Sequence, residues 1–244
     1  MARLQFQMNT SLFLRDPQET TLGRKIIEHS IDLIDRVGFE QFTFKKLAAQ
    51  ISSTEASIYR YFENKHRLLV YLIAWYWNWL EYCIDFATNN IDDPKRRLDI
   101  ALRLLTEQKQ QDDQFPDIDE PALQRIVIAE SDKTYLTKQV DEDNAEGLFR
   151  GYKSLCRTIA NIVKSINPDF PYAHALISTV LQSSHQQIFY AEHLPSLTEI
   201  KRDDPSRQDK MHTFLKTLVL RTIDDKKGTL LKGELNGSSH LHTN

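Results

Sequence analysis

Apolar positions recur at helical spacing along most of the chain, and strand-like alternation is scarce. Ile26, Ile27, Ile31, Ile34 and Val37 form the first such face, between Thr20 and Gly38. The spacing predicts a helix over residues 20–37, with Gly38 placed for a left-handed C-cap. Thr43 precedes Leu47, Ala48 and Ile51, and Thr54 precedes Ile58 and Phe62, so each threonine occupies an N-cap position. Asn64 is a further N-cap, which makes the helix begun at Thr54 short. A fourth helix, residues 65–88, carries Trp75, Tyr76, Trp77, Trp79, Tyr82 and Phe86 on more than one face, and that predicts burial.

Beyond residue 88 the pattern continues in the same mode. Pro94 opens a helix bearing Leu98, Ala101, Leu102 and Leu105, and a polar loop leads to a short helix from Pro121. Residues 135–166 read as one long helix, and Pro168 and Pro171 separate it from a penultimate helix ending near His193. A last helix spans residues 207–223. The expectation is an all-α protein of about nine helices. Residues 1–18 form a flexible arm, 19–66 a compact three-helix unit, 67–224 a helical bundle and 225–244 a mobile tail.

Composition supports this reading. The chain has 244 residues, 41% apolar and 27% charged, with only seven glycines and eight prolines, so it should be globular and helical. Cys83 and Cys156 show no metal-type spacing and suit a reducing cytoplasm. The N-terminal residues lack the pattern of a signal peptide. The most apolar run, residues 68–80, is broken by Asn78 and falls short of the roughly 18 apolar residues of a membrane span. A soluble cytoplasmic protein with no membrane partner is expected.

The net charge of −3 argues against coating nucleic acid by charge alone. Its distribution is uneven: residues 1–66 carry nine Lys and Arg against eight Asp and Glu, and the remainder twenty-two against twenty-six. No glycine-rich phosphate loop, nucleophile elbow or paired-histidine zinc motif is present, so no enzyme activity and no cofactor are expected. The acidic stretch at residues 141–146 lacks the glycine and closing glutamate of a calcium loop and reads as a solvated face. His240 and His242 in the tail imply only incidental metal affinity, so no metal site is assigned.

Residues 43–62 fit either an ordinary helical hairpin or a helix-turn-helix. The stretch GFEQFTFKKLAAQISSTEASIYRYFENKHRLL, residues 38–69, resembles the signature of the TetR family of transcriptional regulators. The resemblance covers roughly residues 26–69, and beyond it only the helical layout is shared. It implies an N-terminal helix-turn-helix DNA-binding domain and a C-terminal bundle for ligand binding and dimerisation. The protein is then a DNA-binding regulator, a ligand-responsive repressor acting as a homodimer on a double-stranded operator. The alternative is a helical small-molecule-binding or interaction protein that has lost DNA binding.

A short helix that approaches a major groove end-on needs small or polar side chains in its first turn, as Thr54, Glu55, Ala56 and Ser57 provide. Glu55 could accept from cytosine or merely complement its own helix dipole. The resemblance assigns DNA contacts to Thr43, Thr54, Ser57, Tyr59, Arg60, Tyr61 and Lys65, and base-facing slots to Glu55 and Ala56; Lys45 adds charge beside them. Ser52 and Ser53 stand where the family usually carries glycine and a small apolar residue, and a left-handed Ser52 would cost on the order of 1 kcal/mol more than glycine. His29 and Ser30 replace a common alanine pair, so a polar group there needs a partner or faces solvent.

For an unidentified small-molecule effector, Trp79, Cys83 and Phe86 lie far enough along the fourth helix to reach a bundle pocket. Arg103, Gln182, His185 and Gln186 are polar groups within apolar helices and would suit an amphipathic or anionic ligand. A packed aromatic core and solvated polar faces are the alternatives. The last two long helices resemble the pair through which family members dimerise.

Overall fold

The computed structural model describes residues 4–224. Its described residues hold eleven α-helices: α1 Thr21–Val37, α2 Phe44–Gln50, α3 Glu55–Tyr59, α4 Lys65–Thr88, α5 Pro94–Thr106, α6 Glu120–Glu130, α7 Asp132–Tyr135, α8 Val140–Ala145, α9 Arg150–Ile166, α10 Ala173–His193 and α11 Arg207–Ile223. The proposed mobile tail and its histidines lie outside the described residues.

Side-chain caps start the first four helices. Thr20 accepts from the Gly23 N–H at 2.9 Å, Thr43 from Lys46 at 3.2 Å, Thr54 from Ser57 at 3.2 Å, and Asn64 from Arg67 at 2.9 Å. Each cap satisfies one of the orphan amides of a helix start. Gly38 ends α1 with φ +77° and donates to the Ile34 carbonyl at 2.8 Å. Ile31, Phe42, Leu47, Ile58 and Phe62 bury their side chains completely and fix α1, α2 and α3 as one unit.

Burial on α4 runs almost all round its axis from Leu68 to Leu80. This helix packs on α5, α6 and α9, while α9 also contacts α10, and α10 packs on α11. Among the described residues, no helix is long and apolar enough to cross a membrane.

Three segments depart from the pattern reading. Residues 4–20 are not a free arm: Met8 and Leu12 are buried, Phe6 meets Trp75 at 5.4 Å and stacks on Phe115 at 5.1 Å, and two 3-10 turns, Thr10–Leu12 and Pro17–Glu19, shape the segment. These apolar residues have no helical period, so periodicity does not detect their docking. The long helix expected over residues 135–166 is broken into α7, α8 and α9. Gly147 adopts φ +76° between α8 and α9, a conformation that costs glycine least.

The acidic stretch is not wholly a solvated face. Asp143 is buried and lies 3.2 Å from Arg67 Nη1 and 3.8 Å from His66 Nε2, while Arg67 Nη2 reaches Glu146 at 3.0 Å. The start of α4 is thereby tied to α8.

Candidate nucleic-acid interface and bundle interior

The α2–α3 turn brings the small first turn of α3 to the surface. Ser52 has φ +53°, the left-handed region, and among the described residues it is the one non-glycine residue with positive φ. The Ser53 N–H closes the turn on the Ala48 carbonyl at 2.9 Å. Serine therefore keeps the sharp turn that glycine makes more cheaply. In α1, Ser30 is buried with no hydrogen-bond partner for its hydroxyl among the described residues, while His29 Nδ1 lies 3.2 Å from Gln50 Nε2.

Thr54, Glu55 and Ala56 are exposed and Ser57 is half-buried, its hydroxyl 2.9 Å from that of Thr54. Tyr59 is half exposed and braced edge-on against Phe44 at 5.0 Å, which holds the phenol outward. Thr43, Lys45 and Arg60 are exposed. Lys45 and Arg60 have no ion-pair partner among the described residues, so both charges are open to a phosphate.

Two predicted contacts turn inward instead. Tyr61 is only 3% exposed, and its hydroxyl lies 2.7 Å from Thr20 Oγ1. Lys65 Nζ donates to the carbonyls of Phe39 at 3.1 Å, Glu40 at 3.3 Å and Phe42 at 3.3 Å, and lies over the Phe39 ring. An ammonium has three protons, and here each has a carbonyl. In this structure Lys65 clamps the α1–α2 loop and is not free for phosphate.

Arg15 joins this surface unannounced by the pattern. The Leu14 N–H donates to the Tyr61 carbonyl at 2.8 Å, and this sets the exposed Arg15 guanidinium over the Tyr61 ring at 5.6 Å. A lone arginine in an aperiodic segment gives no signal in the sequence; only the docking of residues 4–20 reveals it.

In the bundle, the predicted ligand residues separate. Trp79 is buried with its Nε1–H unpartnered among the described residues, and Cys83 is half-buried beside it, its thiol pushed up to about 11 by burial. His185 is buried and stacked on Trp77 at 5.2 Å, and burial, with Lys109 second, depresses it to about 4, so it is neutral. Phe86 is 77% exposed, and Arg103 is exposed and pairs with Asp209 at 3.2 Å; neither faces the interior. Gln182 lies 3.4 Å from Asp132, and Gln186 is exposed. Phe86 lies two turns beyond Trp79 on nearly the same face of α4, so its exposure comes from its place near the end of the helix, while Arg103 and Gln186 are exposed and Gln182 is half-buried.

Lys109 is the interior residue that the sequence conceals, a lone cation in a glutamine-rich loop. It is 5% exposed, donates to the Leu104 carbonyl and lies 6.0 Å from the Trp79 ring centre. Burial depresses its ammonium to about 8, with Glu107 nearby opposing the shift. Its backbone N–H donates to Gln124 Oε1 at 3.1 Å. A cavity of about 410 Å³ lies between α6 and the α10–α11 pair, and Gln108 and Gln124 are among its lining residues.

The bundle grips the three-helix unit through α6. Arg125 pairs with Asp35, Glu130 Oε1 accepts the Phe39 N–H at 3.1 Å, and Lys133 bridges Glu130 and Glu40 at 2.7 Å each. Asp35, Arg125 and Glu130 also line the cavity.

Comparison with known proteins places this arrangement. No curated protein is significantly similar to the chain in sequence. The structure of the ketosteroid transcriptional regulator KstR2 of Mycobacterium tuberculosis superposes with a TM-score of 0.52 at 12% identity, covering 85% of this chain and 98% of that one. AibR, in complex with isovaleryl coenzyme A and operator DNA, gives 0.52 at 16% identity over 80% and 97%. The fatty acid degradation regulator FadR from Bacillus halodurans gives 0.51 at 14% identity over 83% and 95%. At these identities the likeness concerns the fold. Residues 26–72 match the profile described as bacterial regulatory proteins, tetR family. That match lies over the three-helix unit and the first turns of α4, and it identifies this N-terminal part of the chain as a domain of the tetR-family type.

Proposed function

We propose that the protein is a sequence-specific operator-binding repressor, acting in the cytoplasm as a homodimer and released from DNA by a small-molecule effector. The observation that carries this reading is the surface of α3. Its first turn presents Thr54, Glu55, Ala56 and Ser57, flanked by the braced Tyr59 and the exposed Arg60, on a three-helix unit with a shared core. Phosphate contacts position such a unit, and its first-turn side chains read base edges. Ser52 keeps the turn, so the reading that DNA binding has been lost gains no support.

The homodimer reading rests on α10 and α11. Phe214 is half exposed on α11 and Leu218 lies one turn on, an apolar pair suited to a two-fold contact. A short reading helix covers few base pairs, and a dimer doubles the site.

Effector control is read from α4 and α6. The first runs unbroken from the three-helix unit into the bundle interior, and the second holds α1 through Arg125 and Asp35 beside the cavity. A ligand that moves either helix changes the separation of the two α3 helices. KstR2, AibR and FadR, with ligand-linked names, share this architecture and favour the same reading.

The test is an electrophoretic mobility shift with the DNA upstream of the protein's own gene. A saturable shift is expected, lost in the Tyr59→Ala/Arg60→Ala variant with its circular dichroism unchanged. A folded wild-type dimer that shifts neither this DNA nor any selected from a random pool would overturn the proposal.

A further inference from the structure

Two buried groups in the bundle share one unmet need. Lys109 Nζ is 6.0 Å from the Trp79 ring centre, has no carboxylate within ion-pair distance among the described residues, and bonds only the Leu104 carbonyl. Trp79 Nε1 is buried without a hydrogen-bond partner among the described residues. The indole face attracts the ammonium weakly at this distance, but the indole N–H and the ammonium are both donors, so neither supplies the other with an acceptor. A buried cation left without a counter-charge is costly, and an anion placed between two such donors relieves both.

The neighbouring groups offer no such anion. His185 is neutral and donates no charge, and the Cys83 thiol is protonated at neutral pH. Glu107 lies near enough to influence Lys109 but does not reach ion-pair distance.

A cavity with apolar and charged walls lies beside the loop that carries Lys109. The cavity of about 410 Å³ has Ile126, Ile188, Phe189 and Met211 on its walls, while Gln108 and Gln124 also line it. Gln108 precedes Lys109 in the chain, and the Gln124 side chain bonds both the Lys109 N–H and the Glu107 carbonyl. Gln124 is thus a cavity-wall residue hydrogen-bonded to the backbone of the loop that carries the buried cation. The volume lies within the range of small-molecule sites, which combine apolar walls with a few polar groups.

We propose that the effector is an amphipathic carboxylate, its tail held in the cavity between α6 and α10–α11 and its head group received by Lys109 Nζ and Trp79 Nε1. The Gln124 side chain swings aside, and Lys109 exchanges the Leu104 carbonyl for the carboxylate. The single negative charge matches the single lysine, so an uncharged head group fills the cavity without meeting the cation. This inference rests on the effector reading above and gives it a ligand class.

The experiment is isothermal titration of the full-length protein with submicellar sodium decanoate and, in parallel, decan-1-ol. Saturable decanoate binding is expected, with the alcohol at least tenfold weaker. Lys109→Met should weaken decanoate about 10- to 100-fold, as loss of a charged hydrogen bond does, and leave the alcohol unchanged. Trp79→Phe should weaken it less. Equal binding of acid and alcohol, no saturable binding of either, or a folded Lys109→Met that binds decanoate like the wild type would each overturn the proposal. The acid–alcohol comparison on the wild type decides the matter even if Lys109→Met does not fold. A mobility shift on the same ligand-free protein separates the two readings: DNA binding without carboxylate binding sinks only this inference, and the reverse sinks only the repressor.

Discussion

Arg125 meets Asp35 through two parallel hydrogen bonds, Nε to Oδ1 at 2.9 Å and Nη2 to Oδ2 at 2.7 Å. The pair joins α6 of the bundle to α1 of the three-helix unit. Arg125 is exposed, so its contribution is screened by solvent; the paired geometry places it toward the upper end for surface ion pairs. A double-mutant cycle with Arg125→Ala and Asp35→Ala should give a coupling of about 0.5–1 kcal/mol in thermal unfolding. In 1 M salt, where the screening length is about 3 Å, most of that coupling should vanish. A cycle indistinguishable from zero at low salt would show that this pair adds nothing to the joint made by Glu130 with Phe39 and Lys133 with Glu40.

Ser52 holds φ +53° in the turn before α3. The side chain is exposed, so replacing it by glycine removes few contacts. The relief of left-handed strain is about 1 kcal/mol, and the greater freedom of glycine in the unfolded chain offsets part of it. Ser52→Gly is expected to raise the melting temperature slightly and leave operator affinity unchanged. Lower stability would mean that the serine hydroxyl supports the turn.

The cations around α3 should divide into two kinds. Arg15 and Arg60 are exposed without ion partners among the described residues, so each alanine variant should lower the slope of log affinity against log salt by about 1. Lys65 instead holds three loop carbonyls. Lys65→Met should therefore lower the melting temperature more than either arginine variant, with a smaller change in salt slope. A Lys65 variant of unchanged stability with a slope reduced by one would reverse this assignment.

The legible parts of the chain were those governed by local rules. Thr43, Thr54 and Asn64 cap helices because a side-chain oxygen needs only an amide two or three residues on, while Thr20, read as the first helical residue, is itself a cap. Gly38 announces positive φ by its place just after the apolar face of α1, whereas for Ser52 the expectation comes from the resemblance, which puts glycine there. What could not be read depends on distant partners. Phe6, Met8 and Leu12 show no period, and their burial exists only because α4 and the loop carrying Phe115 receive them. Phe86 and Trp79 share a helix, yet the first faces solvent and the second the interior; composition alone cannot separate them. Lys109 looks like any loop lysine until the chain folds it over Trp79. Asp143 looks solvated until Arg67, far away in sequence, comes to meet it.

Phe214 offers a direct test of the assembly. It is half exposed on α11, and burying such a ring between two copies of the chain is favourable by roughly 1–2 kcal/mol for each. In the proposed homodimer, Phe214→Glu would set two like charges against each other across a two-fold axis, and sedimentation equilibrium should then show a monomer where the wild type is dimeric. Operator affinity should fall with it, because one α3 then reads alone. A variant that remains dimeric would move the interface off this face.

Glu120 gives the bundle a pH dependence. Its side chain is fully buried, Oε2 accepts the Asp112 N–H at 3.1 Å, and Oε1 has no partner among the described residues. Burial raises this carboxyl to about 7, against about 4.3 in an unfolded chain. The folded state therefore binds more protons than the unfolded state between those values. Its contribution is fully present below pH 4.3, declines as pH rises through 7, and changes little beyond that. His185, depressed to about 4 by burial, acts oppositely, losing stability as pH falls from about 6.5. Comparing Glu120→Gln with the wild type cancels that second effect, since both carry His185. From pH 5 to pH 8 the stability difference should move in favour of the glutamine variant by about 2–3 kcal/mol. Denaturant unfolding of both proteins across that range measures it, and parallel pH profiles would mean that Glu120 is ionised in the folded protein.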